Sequence, residues 1–125
     1  MPSEFQNTFA TWLEAGFRAS IPPEVVAYTF NLAEPWCIEV VGCERYDADD
    51  PDWACDEVFR PDHGTLELPS DIFGDDWETV LERSIEMLNR FLEGDTNASK
   101  ILKESQAVAI GFVDGDSHLI WPRSE

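Results

Sequence analysis

The stretch Ala107-Val108-Ala109-Ile110-Gly111-Phe112-Val113-Asp114-Gly115-Asp116-Ser117-His118-Leu119-Ile120-Trp121 decides the fold. Two β-rich runs, Ala107 to Val113 and His118 to Trp121, flank four turn-forming residues, and Asp114-Gly115 is a strong hairpin signal. Side chains alternate across a strand. Val108, Ile110 and Phe112 therefore face one way, and Ala107, Ala109 and Gly111 face the other. Small residues on the second face leave room for a helix to approach closely, so this strand is expected at the centre of a sheet, buried on both faces.

Upstream of it, Trp77, Val80, Leu81, Ile85, Leu88, Phe91 and Leu92 form the apolar stripe of a helix. Asp75, with Glu78 three residues on, suits its start, and Gly94 suits its exit. A shorter helix is expected around Ala98 to Glu104. Further back, strands are expected at Val26 to Leu32, Trp36 to Tyr46, Ala54 to Arg60 and Thr65 to Leu68. They are separated by Glu34-Pro35, by the acidic loop Asp47 to Asp52 and by the turn Pro61-Asp62-His63-Gly64. At the N-terminal end Phe5, Phe9, Trp12, Leu13 and Phe17 mark one face of a helix, with Ser3 and Gln6 spaced as a capping box and Pro22-Pro23 ending any continuation. The order α-β-β-β-β-α-(α)-β-β predicts a single α+β domain over 1–125. It should hold an antiparallel sheet of about six strands, with two or three helices mainly on one face.

The charge is lopsided. The 125 residues carry 26 acidic and eight basic side chains, a formal net charge of −18. A nucleic-acid binder needs Lys and Arg for phosphate, and an anionic membrane surface attracts the same residues, so both classes of partner are excluded. No apolar run approaches the roughly 18 residues that span a bilayer, and Met1-Pro2-Ser3-Glu4 does not open a signal peptide. A cytoplasmic location is therefore expected. The odd count of three cysteines, Cys37, Cys43 and Cys55, suits reduced thiols.

The usual chemical signatures fail on spacing. A calcium loop counted from Asp47 would need an oxygen ligand where Pro51 stands and glycine where Asp52 stands. Cys37, Cys43, Cys55 and His63 are zinc-ligand types without the short Cys-x-x-Cys knuckle. His63 and His118 sit in no nucleophile signature, and no Gly-rich phosphate cradle occurs. No cofactor or metal is expected, and the chain is expected not to be an enzyme.

The acid is concentrated instead. Between Glu44 and Glu86 lie fifteen acidic and three basic residues, a net −12 over 43 positions. Self-repulsion of this kind destabilises a compact chain, whereas a steered encounter with a cationic protein gives it a use. Trp53 stands inside the stretch, between Asp52 and Ala54. It is either an interface anchor, as tryptophan often is, or a pin that folds back and ties the loop to the core.

Three stretches, Trp36-Cys37-Ile38-Glu39-Val40-Val41-Gly42, Asp52-Trp53-Ala54-Cys55-Asp56-Glu57 and Gly111-Phe112-Val113-Asp114-Gly115-Asp116, resemble those of small bacterial immunity proteins that neutralise toxins. The resemblance implies tight binding to a toxin enzyme, often a basic nuclease, with occlusion of its active site. The expectation is a non-enzymatic acidic binding module, monomeric or homodimeric, that presents Asp47, Asp49, Asp50, Asp52, Trp53, Asp56 and Glu57 to a basic, toxin-like protein. Two alternatives stay open. One is a small enzyme or ligand-binding domain with a pocket between sheet and helices, and the other a structural module that pairs through an exposed sheet edge.

Overall fold

The computed structural model describes residues 2–18, 21–62, 64–113, 115 and 117–122. The turn positions His63, Asp114 and Asp116 lie outside them. Phe9, Leu13, Phe30, Leu32, Ile38, Leu88, Leu102 and Ile110 lose all their exposure to solvent, and burying side chains of this size drives the chain into two layers, helices on a sheet. In chain order the elements are α1 (Ser3–Gly16), β1 (Ala27–Ala33), β2 (Cys37–Cys43), a 3-10 turn (Pro51–Cys55), β3 (Glu57–Phe59), β4 (Leu66–Glu67), α2 (Ser70–Phe73), α3 (Trp77–Leu92), α4 (Asn97–Glu104), β5 (Ala107–Phe112) and β6 (His118–Trp121). This is an α+β single domain with a six-stranded, mostly antiparallel sheet. Among the described residues no helix is long and apolar enough to cross a membrane.

The strands run in the order β3-β2-β1-β5-β6, with β4 joined to β2 along the same edge as β3. β1 and β2 form the expected hairpin, Ala27 opposite Cys43 through Ala33 opposite Cys37. β5 is central and buried, as its alternation requires, but it joins β1 in parallel, Ala27 against Ala107 through Leu32 against Phe112. The sheet is mostly antiparallel, as expected, and this is its one parallel pairing among the described residues. The chain leaves β4, passes through all three later helices and returns, and such a crossover is the connection a parallel pair needs.

Each face of the sheet has its own core. Tyr28, Phe30, Leu32, Ile38, Val40, Val108 and Ile110 point at the helices and meet Phe5, Phe9, Leu13, Phe17, Val80, Leu88, Phe91 and Leu102. The opposite face carries Ala27, Val41, Cys43, Ala107 and Ala109, and what covers them is Trp53. The small residues of β5 thus make room for an indole from a loop, not for a helix.

Several local expectations shift. No strand forms at Ala54 to Cys55. Asp50 caps a 3-10 turn by accepting from the Asp52 N–H, and extended backbone begins only at Glu57. α3 is capped by Asp76, not Asp75; its carboxylate accepts from the Thr79 N–H and is held below the ordinary carboxylate range by the hydrogen bonds to Thr79. The Ser3–Gln6 box does not form. Pro2 is the N-cap of α1, no side chain caps it, and Gln6 Nε2 instead donates to the Met87 carbonyl at 3.0 Å. The short helix α2 has no apolar period long enough to announce it. Gly74 leaves it at φ 85°, an angle that favours glycine. Trp77, expected in the core, is 55% exposed, because the first residue of α3 projects past the end of the sheet-facing stripe.

Candidate functional site

The acidic loop is built by its own carboxylates. Asp47 Oδ1 accepts from the Asp49 N–H at 2.9 Å, and Asp50 Oδ1 from the Asp52 N–H at 3.0 Å, the local bonds that aspartate offers to turns. Arg45 then ties the loop across its width. Its Nε donates to Asp56 Oδ2, and Nη1 and Nη2 both reach Asp50 Oδ2 at 3.3 Å. The bond from Asp56, followed by that from Asp50, pushes the Arg45 guanidinium pKa further up, so this cation is permanent. Glu57, at the start of β3, accepts from Arg60 Nη2 at 2.8 Å and from Arg60 Nε at 3.1 Å. Arg60 Nη1 also donates to Glu39 of β2, whose other oxygen accepts from Asn31 Nδ2 at 2.9 Å.

The seven expected site residues therefore divide. Asp50, Asp56 and Glu57 are paired with arginine, and Asp47 is turned into its own loop. Asp49 and Asp52 are exposed, and their carboxylates enter no hydrogen bond or ion pair among the described residues. Trp53 is the correction within the set. At 4% exposure it offers a partner nothing; its ring stands edge-on to Tyr46 at 5.2 Å and closes over the alanine face of β5. An indole buries far more area in an apolar pocket than in a loop ringed by water, so the pin outcompetes the anchor.

Pinning the loop to the helix-free face leaves a groove beside it. A hollow of about 600 Å³ has Thr29, Asn31 and Gly111 on the sheet, Asp52, Ala54, Cys55 and Glu57 from the loop side, and Phe112, Val113, Gly115 and Ser117 from the β5–β6 side. None of these eleven residues is basic, and two are carboxylates. Hydroxyl, amide and carboxylate groups make it a place for a ligand that donates hydrogen bonds and carries positive charge. Thr29 and Asn31 of β1 and Glu39 of β2 are not singled out by the sequence, though polarity at alternate positions of otherwise apolar strands marks them; Arg60, just past β3, carries no such signal.

Among the described residues no three His, Cys, Asp or Glu side chains are placed to hold one metal ion. His118 lies exposed on β6, and among the described residues no histidine lines this groove. The three cysteines are free thiols. Cys43 is buried, and desolvation, then the charges of Glu57 and Asp56 and the neighbouring Cys55, push its thiol up to about 11, so at neutral pH it is a small apolar side chain and not a nucleophile. A second hollow of about 580 Å³ lies between Trp36, Cys37, Thr65, Glu67 and Pro69. The chain matches no protein-family model, no curated protein and no solved structure.

Proposed function

We propose that this protein is a non-enzymatic acidic binding module whose helix-free sheet face receives a basic segment of a partner protein. One observation carries the reading: the groove beside the acidic loop is lined by Asp52, which no arginine pairs, and by Glu57, which Arg60 already pairs, none of its eleven described lining residues is basic, and it lies against a loop that Arg45 and Trp53 hold in place before any partner arrives. A preformed acidic surface spares a complex the cost of ordering a loop, and it speeds encounter with a cation. The resemblance to immunity proteins supplies a form for this function, in which the partner is a basic toxin enzyme met in the cytoplasm and its active site is occluded.

The test uses the two carboxylates that the fold does not need. Octalysine is titrated against the whole protein and against an Asp49→Lys/Asp52→Lys variant, at about 20 mM and about 200 mM salt. Wild type should bind at low salt and lose most of its affinity at high salt, and the double variant should bind roughly tenfold more weakly. Equal binding by both proteins overturns the proposal.

A further inference from the structure

Trp36, Phe112 and Trp77 come from three separate elements and meet at one end of the sheet. Trp36 lies in the turn between β1 and β2, Phe112 closes β5, and Trp77 opens α3. The Phe112 ring stands edge-on to Trp36, with centroids 5.9 Å apart, and to Trp77 at 6.3 Å. Edge-to-face contact of this sort fixes the rings relative to one another. Trp77 is nevertheless 55% exposed, and Val113, the residue after Phe112, is 65% exposed. Nothing in packing requires this. A tryptophan at the first position of a helix can be replaced by a polar residue at no cost to the core, yet here an indole is propped on Phe112 with half its surface in water. Phe112 packs toward the helix-side core, whereas the groove lies on the other face of the sheet; because Phe112 and Val113 also close the end of that groove, cluster and groove adjoin around the end of β5.

Charge identifies what fits there. Trp77 is flanked by Asp75, Asp76 and Glu78, all exposed, and Glu34 is exposed two residues before Trp36. No Lys or Arg occurs anywhere between Arg18 and Arg45 or between Arg60 and Arg83. A second copy of the chain would bring the same acids against these acids on top of a net −18 on each molecule. Phosphate-bearing surfaces are repelled for the same reason. A guanidinium, by contrast, stacks on an indole face, pairs with a carboxylate at its edge and has an alkyl stem that packs on apolar surface.

We infer that the Trp36–Phe112–Trp77 cluster anchors an arginine-bearing segment of the partner, and that it, not Trp53, is the hot spot of the docking surface. The inference rests on the reading of the groove as the site of a basic partner and adds to it where the binding energy is concentrated and which basic residue is preferred.

The test compares two probes of equal charge on the full chain, a peptide alternating arginine with leucine and one alternating lysine with serine. The readouts are the indole N–H signals of Trp36 and Trp77 and the amides of Asp49 and Asp52. The arginine–leucine peptide should move both sets and bind the tighter of the two. Trp77→Ala should weaken it roughly tenfold, Trp77→Phe should restore most of the loss, and neither should alter binding of the lysine–serine peptide. Movement of the loop amides alone, or equal affinity for the two peptides, overturns the anchor and leaves the groove reading standing. Silence in both sets overturns both. Concentration-dependent self-association that Trp77→Ala abolishes would assign the cluster to a second copy and also overturn the inference.

Discussion

Trp53→Ala removes the one large side chain that joins the acidic loop to the sheet. Its indole is the cover over Ala27, Val41, Ala107 and Ala109, and replacing it leaves small residues that cannot expand into the space. The expected loss is about 3 kcal/mol of unfolding free energy, read from denaturant midpoints. A loss near zero would mean that the indole does not hold the loop. Cys43 gives a second residue-scale prediction. Its thiol titrates higher in the folded chain than in the unfolded one, because burial disfavours the thiolate. The stability tied to the neutral thiol is therefore complete below about pH 9 and is lost as pH rises toward the folded value of about 11. Cys43→Ala should flatten this part of the stability–pH curve, and an unchanged curve would remove Cys43 as its source. At this scale the sequence was legible in type and not in place. Trp53, which its neighbours leave open between anchor and pin, is buried, and Trp77, on an apolar stripe, is half exposed, because burial is set by contacts distant in sequence, Ala107 and Ala109 for Trp53 and Phe112 for Trp77.

Helix ends show what an element draws from its sequence and what it draws from its surroundings. The Thr96 side chain accepts from the Ser99 N–H at 3.3 Å and starts α4, whereas Ser3 caps nothing. Thr96→Ala should cost about 1 kcal/mol and Ser3→Ala a few tenths at most, measured side by side by thermal or denaturant unfolding. Reversal of that order would contradict the cap assignments. The long helices, the β1–β2 hairpin and the central, doubly buried β5 could be read from period and turn chemistry. The parallel pairing of β5 with β1 could not, since no local pattern records which strand a crossover returns to. The 3-10 turn at Pro51–Cys55 could not either, since the choice between turn and strand there rests on Asp50 capping the Asp52 N–H and on Trp53 finding its pocket.

Over the whole molecule the acid is divided between structure and surface. Arg45 and Arg60 draw Asp50, Asp56, Glu57 and Glu39 into ion pairs, and Asp76 caps α3, so much of the charge that looks like a binding patch in the sequence is spent on the fold. Among the exposed acids outside those pairs are Asp52 in the groove lining, Asp49 in the same loop, and Asp75 and Glu78 on either side of Asp76 and Trp77. The edges of the sheet are short, three residues in β3, two in β4 and four in β6 before Pro122, which leaves little backbone for a second chain to pair with. The grouping of acids between Glu44 and Glu86 was visible along the chain, but which acids face the groove depended on a sheet register that only the fold supplies. The most direct test of the central claim is a backbone amide shift map of the whole chain titrated with octalysine. The account predicts saturable shifts confined to the groove and its loop, at Thr29, Asn31, Asp52, Ala54 and Gly111 of the lining and at Asp49 in the adjoining loop. Shifts centred on Glu78, Glu82 and Glu86 of α3, or spread evenly over every acidic surface, would contradict it.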